Sequence, residues 1–241
     1  MEQYTVFVPK LLPKQECFLP GSPSSCKGCG EALAIRHVYK GLGSADVIGK
    51  GEWKIPWEHS MSDLEGPARR EMLLPALLRI PKTEGSILSI CFDNEALTDN
   101  TGRGKGFWKK HMPAVAIADE IPYVATACPS YPFDLMAKVK EGYCFQGDAY
   151  IHVLCPCPVG WGFESSRSIK IGKLAVESNL FPLYEVVHNR LSMSVETPKP
   201  RPVKEYFGSQ GRFKDLSDTI VDAIQSMVSQ EYEKLTSAVL L

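Results

Sequence analysis

Short apolar runs and helically spaced segments alternate through the middle of the chain. Apolar runs at 87–92, 123–127 and 149–154 predict strands, and apolar residues at helical spacing predict helices over 113–119 and 132–140. Strands that alternate with helices indicate an α/β domain with a largely parallel sheet flanked by helices. Because ligands of such folds bind beyond the carboxyl ends of the strands, the loops after these three strands are expected to share one edge.

The start of the chain shows one clear helix. Apolar residues at Ala34, Val38 and Leu42 predict a helix over 31–42. This helix follows a Gly-Cys-Gly turn, in which backbone amides can approach an anionic ligand. The next stretch, residues 49–85, has no regular pattern.

We expect the chain to have two parts. Residues 1–195 would form an α/β domain with an extended N-terminal arm. Residues 196–241 would form a proline-rich connector and a C-terminal helix over 217–240. The apolar stripe of that helix is predicted to consist of Ile220, Ile224, Met227, Val228 and Leu235.

Composition and charge narrow the class of protein. Hydrophobic residues make up 44% of the 241 residues and charged residues 23%, which is typical of a globular protein and excludes a disordered chain. The 27 Lys and Arg residues nearly balance 28 Asp and Glu residues, which argues against a nucleic acid as main partner. Because no apolar run approaches the length of a membrane span and the first residues do not resemble a signal peptide, we expect a cytoplasmic protein without a membrane partner.

Eight cysteines in a cytoplasmic protein need an explanation other than disulfides, which are rare in that compartment. Two close pairs stand out, Cys26 with Cys29 and Cys155 with Cys157. The first pair suits zinc, an iron–sulfur cluster or a redox dithiol, although no apolar strand precedes it as in a thioredoxin-like domain. The spacing leaves zinc and a cluster open, with an uncoordinated pair as the third alternative. We expect the thiols in or beside the apolar runs to be packing residues: Cys91, Cys128 and Cys144.

Polar residues follow the first predicted strand of the α/β pattern. Its carboxyl end continues into Asp93, Asn94 and Glu95. Carboxylate and amide oxygens are ligands that Mg²⁺ takes, usually together with phosphate groups of a substrate or cofactor. A polar loop built from Asx turns is the alternative explanation. Two histidines have simpler explanations than metal ligation, His37 as an exposed or packed helix residue and His152 as a hydrogen-bonded core residue.

These features together resemble the β subunit of the 2-oxoacid:ferredoxin oxidoreductases of the pyruvate synthase type. The resemblance covers most of the chain outside residues 1–20 and 60–85, and its motifs follow one another in the family's order. The stretches that carry it are 26–38 (CKGCGEALAIRHV), 53–59 (WKIPWEH), 91–96 (CFDNEA), 100–102 (NTG), 121–127 (IPYVATA), 151–161 (IHVLCPCPVGW) and 205–213 (EYFGSQGRF).

The resemblance implies that residues 1–195 form a thiamine diphosphate-binding α/β domain, which works with partner subunits. Members of the family oxidatively decarboxylate a 2-oxoacid, here expected to be pyruvate, to acyl-coenzyme A and CO₂, and the electrons leave through an iron–sulfur cluster. The implied cofactors are thiamine diphosphate, Mg²⁺ and a [4Fe–4S] cluster. The implied partners are the other subunits of the complex, ferredoxin, coenzyme A and the 2-oxoacid. The chain itself has no ferredoxin-like C-x₂-C-x₂-C-x₃-C run to carry electrons onward.

The same resemblance implies roles for individual residues. The cofactor-binding residues would be Gly30, Glu31, Asp93, Asn100 and Thr101, and two of them would act in catalysis, Glu31 and Asn100. The cluster ligands would be Cys26, Cys29 and Cys157, and Mg²⁺ would be bound by Asn94 and the carbonyl of Ala96. Cys155 is an additional thiol to which the resemblance assigns no role.

Three family segments have no counterpart in the sequence, and all belong to the cofactor site. A Gly-Asp-Gly segment that binds Mg²⁺ should precede the strand at 87–92, a further cluster cysteine should lie between Ile48 and Trp53, and a longer loop should follow Gly102. Either the sequence joins pieces of a longer chain, or the subunit is truly shortened and has a structural or electron-transfer role. A zinc-stabilised binding module without a redox role is a third alternative.

Overall fold

A mixed β-sheet forms the centre of the molecule. The computed structural model describes residues 26–43, 52–53, 76–82, 85–95 and 111–237. The strands within these residues are β1 (Glu52–Trp53), β2 (Ala76–Pro81), β3 (Ile87–Asp93), β4 (Tyr123–Ala127), β5 (Ala149–Leu154), β6 (Tyr184–Val187) and β7 (Arg190–Met193). They form one sheet in the order β1-β2-β3-β5-β4-β6-β7.

The three central strands are parallel, and the pairs at both edges are antiparallel. β5 lies between β3 and β4, so that His152 is paired with Cys91 on one side and Thr126 on the other. The carboxyl ends of these three strands therefore share one edge, as the sequence predicts. An α/β fold with a sheet flanked by helices is confirmed, with parallel pairing confined to β3, β5 and β4.

Helices cover both faces of the sheet. The α-helices within the described residues are α1 (Gly30–Leu42), α2 (Met112–Ala118), α3 (Pro132–Cys144), α4 (Pro158–Trp161), α5 (Ser168–Glu177), α6 (Val203–Phe207) and α7 (Asp218–Ser237). Side chains alternate along β3, so that Ile90 and Phe92 pack with α1 and α3 while Cys91 clusters with Ala116 of α2. Because both faces are covered, the central parallel strands are apolar along most of their length.

The C-terminal part of the chain packs beyond the end of β5. Leu154 and Trp161 share a hydrophobic cluster with residues of α6 and α7. The buried stripe of α7 consists of Val221, Ile224 and Val228. The prediction that Ile220 belongs to this stripe is wrong: the residue is 43% exposed, because neighbouring positions on a helix point about 100° apart.

The observed element boundaries agree with the predicted ones in the middle of the chain and differ from them elsewhere. β4 and β5 have the predicted bounds, and α1 begins one residue earlier than predicted. The region without a regular pattern contains β1 and β2, and neither α5 nor the β6–β7 hairpin was predicted. In the described part of the chain, no helix has the length and apolar character needed to cross a membrane.

Candidate active site

The first turn of α1 touches the turn that follows β5. The backbone N–H of Gly30 donates to the carbonyl of Pro156 at 2.9 Å. A Cβ on Gly30 would lie 2.6 Å from both the N and the O of Pro156, so this approach requires glycine. Gly28 is equally restricted, since it has a φ of +72° and a Cβ there would lie 2.3 Å from the carbonyl oxygen of Ser165. Gly30 is thus placed at the carboxyl edge of the sheet.

Three cysteines stand in the two turns that make this contact, and we call them the cysteine group: Cys26, Cys29 and Cys157. Cys29 and Cys157 directly precede α1 and α4, and each thiol accepts an N–H from its own helix. The donors are Ala32 at 3.5 Å and Gly160 at 3.2 Å. The N–H of Cys29 donates to the carbonyl of Cys26 at 3.1 Å, which folds this pair into one turn.

The environment of the cysteine group is partly open. Cys26 is exposed, whereas Cys29 and Cys157 are half-buried. Burial raises the pKa of the Cys29 thiol, as do the nearby charges of Glu31 and Cys157, against the opposing effect of backbone N–H groups. An open cavity of about 270 Å³ borders Cys26 and Cys29, and its other wall includes Ile169. Among the residues that the structure describes, no three Cys, His, Asp or Glu side chains are grouped as a metal site.

Glu31, two residues after Cys29, reaches the end of β3. The side-chain amide of Asn94 donates to Oε2 of Glu31 at 3.3 Å. Glu31 is only 8% exposed. This burial raises the pKa of its carboxyl to about 6, and the smaller effect of the Asn94 hydrogen bond lowers it. A carboxyl group with such a pKa can take up or release a proton near neutral pH.

Asp93 shapes the segment that leaves β3, which we define as residues 93–95 and call the strand-end segment. Its Oδ1 accepts the backbone N–H of Glu95 at 3.0 Å. Its Oδ2 lies 3.1 Å from Nε2 of His152, and Nδ1 of His152 lies 2.9 Å from the hydroxyl of Tyr150. Both carboxylate oxygens of Asp93 are therefore bound inside the protein. His152 is a hydrogen-bonded core residue, as predicted.

Trp161 and Arg212 hold the other two residues of the strand-end segment. Nε1 of Trp161 donates to the carbonyl of Asn94 at 2.7 Å. Nη2 of Arg212 lies 3.1 Å from Oε2 of Glu95. Sequence reasoning missed both roles, because 67 and 117 residues separate these partners and no spacing rule connects them. The one available signal was that both residues stand in stretches that carry the family resemblance.

The remaining predicted site residues have different outcomes. Cys155 is fully buried, and burial raises the pKa of its thiol well above the usual value. Its side chain is thus less accessible than the thiols of the cysteine group, which are exposed or half-buried. The other residues predicted to contact cofactor or metal lie outside the described residues: Ala96, Asn100 and Thr101.

The packing thiols were predicted correctly in two cases of three. Cys91 and Cys128 are buried. Cys144 is exposed, so its assignment to the core is wrong. It stands in the last turn of α3, outside the buried stripe that includes Leu135 and Val139.

Similar proteins identify the family. A scan against models of protein families found no match. The chain is 30% identical to the pyruvate synthase subunit PorB of Methanothermobacter marburgensis over 286 aligned positions, which cover 93% of the chain and 99% of that protein. It is 34% identical to PorB of Methanosarcina barkeri over 237 positions, covering 78% of the chain and 76% of that protein. The chain belongs to the β-subunit family of the 2-oxoacid:ferredoxin oxidoreductases.

A second type of 2-oxoacid:ferredoxin oxidoreductase subunit also matches. The ketoisovalerate oxidoreductase subunit VorB of Pyrococcus horikoshii is 37% identical over 147 positions, covering 58% of the chain and 47% of that protein. Membership in this family makes the chain one subunit of an oxidoreductase complex. The family inferred from the sequence motifs is therefore confirmed.

The alignments also bear on the segments missing from the sequence. The 286 positions aligned with PorB of Methanothermobacter marburgensis exceed the 241 residues of the chain by 45. At least that many aligned positions of this 2-oxoacid:ferredoxin oxidoreductase subunit have no counterpart in the chain. This agrees with the expectation that internal family segments are absent from the sequence.

Proposed function

We propose that the chain is the β subunit of a 2-oxoacid:ferredoxin oxidoreductase that acts on pyruvate. Together with its partner subunits it decarboxylates pyruvate oxidatively, releases CO₂, forms acyl-coenzyme A and delivers the electrons to ferredoxin. Pyruvate is favoured over ketoisovalerate because the relatives that align with most of the chain are named pyruvate synthase subunits. The ketoisovalerate relative aligns with 58% of it.

The observation that carries this proposal is the meeting of α1 with the ends of β3 and β5. Cys29 and Glu31 stand two residues apart at the start of α1. The thiol of Cys29 is influenced by the charge of Cys157, and the carboxyl of Glu31 accepts a hydrogen bond from Asn94. A reaction that moves protons on one cofactor and electrons into another needs both kinds of group close together.

The donor chemistry of the strand-end segment fits thiamine diphosphate with Mg²⁺. Glu31 is a buried carboxyl group that accepts a hydrogen bond from the side-chain nitrogen of Asn94. Carboxylate and amide oxygens, such as those of Glu31 and Asn94, are of the type that Mg²⁺ prefers. When bound, thiamine diphosphate supplies the carbanion and electron-sink chemistry that side chains lack. The residues assigned to Mg²⁺ are Asn94 and the carbonyl of Ala96, and those assigned to the cofactor are Gly30, Glu31, Asp93, Asn100 and Thr101.

Within this assignment, Glu31 is the residue that moves a proton. The burial that raises its pKa to about 6 lets the carboxyl hold a proton at one stage and give it up at another without a large free-energy cost. Asp93 acts through the backbone, because both of its oxygens are bound to Glu95 and His152. Asn100, which lies outside the described residues, is assigned to the cofactor and the substrate.

The donor chemistry of the cysteine group suits an iron–sulfur cluster. Cys29 and Cys157 each accept one backbone N–H, the arrangement in which hydrogen bonds to sulfur tune a cluster's potential. We assign Cys26, Cys29 and Cys157 as thiolate ligands. A [4Fe–4S] cluster takes four ligands, so the fourth ligand comes from the rest of the chain or from a partner subunit. The described side chains are not grouped as a three-ligand metal site, so the final arrangement of the ligands also depends on those parts.

The proposal is tested on the complex purified without oxygen from its natural source. We expect iron, sulfide and thiamine diphosphate to co-purify with the chain, and pyruvate with coenzyme A to reduce a viologen dye. Ketoisovalerate, 2-oxoglutarate and an aromatic 2-oxoacid serve as competing substrates. Faster dye reduction with any of these would reassign the substrate, and zinc in place of iron would support a binding module instead.

The second candidate is a shortened subunit with a structural or electron-transfer role. It is favoured by the 45 or more aligned positions of the PorB relative that the chain lacks. The intact mass of the natural chain separates the candidates. A mass several kilodaltons above 26.7 kDa would support the thiamine-binding subunit, whereas a mass equal to it would support the shortened one.

A further inference from the structure

Arg212 is a charged residue enclosed in an aromatic cluster. Its side chain is 6% exposed. The guanidinium carbon lies 4.0 Å from the centre of the Trp161 ring and 4.4 Å from the centre of the Phe213 ring. A planar cation stacks well on aromatic rings and loses little hydration there, which makes arginine better suited to this position than lysine.

The hydrogen bonds of Arg212 fix its direction. Its Nε donates to Oε1 of Gln210 at 2.8 Å, and its Nη2 donates to the hydroxyl oxygen of Tyr206 at 3.1 Å. The same Nη2 forms the ion pair with Glu95 at 3.1 Å. Gln210 and Tyr206 belong to the C-terminal part of the chain, whereas Glu95 leaves the central strand β3. Arg212 therefore connects two parts that are far apart in sequence.

Glu95 has an unusual backbone conformation at this point. Its φ is +47°, a left-handed value that costs a residue with a Cβ some free energy. Such a conformation persists where the surroundings impose it. Here Asp93 accepts the N–H of Glu95, and Arg212 binds its carboxylate. Trp161, over which Arg212 stacks, holds the carbonyl of the preceding residue.

We propose that Arg212 is a positioning residue for the Mg²⁺–diphosphate site. It acts through two contacts, the ion pair with Glu95 and the stacking on Trp161, and together these hold Asn94 in place for the cation. This inference rests on the proposed function, because Asn94 is a Mg²⁺ ligand only under that proposal. Arg212 itself need not touch the cofactor.

The test uses the oxygen-free complex carrying Arg212→Met, Arg212→Lys or Glu95→Gln. Glu95→Gln removes the ion pair and leaves the aromatic cluster intact, so that it tests the contact even if Arg212→Met unfolds. Arg201→Met is the matched control, since Arg201 is an exposed arginine of the same C-terminal part, paired with Glu177 and Glu205. Binding of thiamine diphosphate is followed by circular dichroism while Mg²⁺ is titrated, and iron content is measured in parallel.

We expect Arg212→Met to raise the Mg²⁺ concentration for half-maximal binding about tenfold, the usual effect of losing an outer partner of a metal ligand. Glu95→Gln should raise it by a smaller factor, because the amide oxygen of glutamine can still accept a hydrogen bond from Arg212. Iron content and the Arg201→Met control remain at the level of the unaltered complex. Arg212→Lys restores part of the affinity, because it keeps the charge but loses the planar stacking. The double variant Arg212→Met with Glu95→Gln is no weaker than Arg212→Met alone, because both changes remove the same ion pair.

Two results would overturn the inference in different ways. If the unaltered complex binds thiamine diphosphate and both Arg212→Met and Glu95→Gln bind it with unchanged Mg²⁺ dependence, the positioning role is wrong and the proposed function stands. If the unaltered complex does not bind thiamine diphosphate at all, the proposed function is wrong, and the role of Arg212 falls with it.

Discussion

The strand-end segment and the cysteine group are neighbours that are built in different ways. Each residue of the segment is held by a side chain from a distant part of the chain: His152, Trp161 or Arg212. The thiols of Cys29 and Cys157 instead accept one N–H each from the helix that directly follows them. An open cavity borders the cysteine group, whereas Asp93 is only 4% exposed.

This difference separates two kinds of dependence. The position of the strand-end segment depends on long-range contacts, so substitutions well away from the cofactor should change how tightly it is bound. The N–H groups that the thiols accept come from local turns, so metal content should respond to loss of a thiol and not to substitution of Trp161 or Arg212. Substitutions within each region test that separation.

The largest effect is expected from Cys29→Ala. The variant should lose nearly all iron and the visible absorbance of the cluster, and with them pyruvate-dependent dye reduction, because the cluster loses one of its thiolate ligands. Cys155→Ala is the matched control, since this buried thiol stands after β5 in the same turn as Cys157. It should keep its iron. Unchanged iron in Cys29→Ala would remove this residue from the ligand set.

Glu31→Gln should lower turnover by roughly 100-fold or more, the usual loss when a proton-transferring group is removed. The replacement has the same shape and can still accept the hydrogen bond of Asn94 through its carbonyl. Iron content should therefore stay unchanged, which would show that the two regions are chemically separate although Glu31 is two residues from Cys29. Turnover within a few fold of the unaltered complex would exclude Glu31 from proton transfer.

Trp161→Phe should have a smaller effect, confined to the strand-end segment. It keeps an aromatic ring beneath Arg212 but leaves the carbonyl of Asn94 without the indole N–H, at a cost of about 1–3 kcal/mol for a buried polar group. Thiamine diphosphate affinity should fall while iron stays constant. Phe163→Leu changes the ring that packs beside Trp161 and serves as the control. Equal losses in both variants would indicate a packing effect.

The last prediction concerns the free energy of unfolding at acid pH, which should affect the site least. It depends on His37, a buried residue of α1. Burial lowers the pKa of His37 to about 4, and the charges of Arg36 and Lys40 contribute. A lowered histidine pKa means that stability is present above the ordinary pKa and is lost as the pH falls through 6.5 towards 4. The shift corresponds to about 3 kcal/mol in full and about 2 kcal/mol between roughly pH 7 and pH 5.

Urea unfolding of the chain at these two pH values measures this contribution. His37→Gln should reduce the difference between them, whereas His188→Gln, at an exposed histidine of the β6–β7 turn, should leave it unchanged. An unchanged difference in His37→Gln would assign the acid sensitivity to another group.

The sequence predicted those elements whose burial follows a simple pattern. β4 and β5 are buried at every position, and such continuous apolar runs are easily recognised. The β6–β7 hairpin escaped because it is short and β7 alternates between exposed and half-buried positions. The order of the sheet, with β5 between β3 and β4, depends on packing between distant segments that periodicity does not record.

The candidate site divides in the same way. The cysteine pair and the residues at the end of β3 were found because their chemistry is visible as close spacing in the sequence. The roles of Trp161 and Arg212 were not, because their partners lie 67 and 117 residues away. A residue that holds another from such a distance is recognised only when the fold brings the two together.

The glycines at the start of α1 have a consequence for the history of such subunits. Gly28 and Gly30 are required because the backbone of this turn lies directly against Ser165 and Pro156, whether or not any sulfur there binds iron. Residues 26–30 therefore meet two independent requirements. The cysteines must supply the thiols, and the glycines must fit into the narrow space between this turn and the loops that contain Pro156 and Ser165. A descendant that had given up its cluster could exchange both cysteines freely and would still be obliged to keep both glycines.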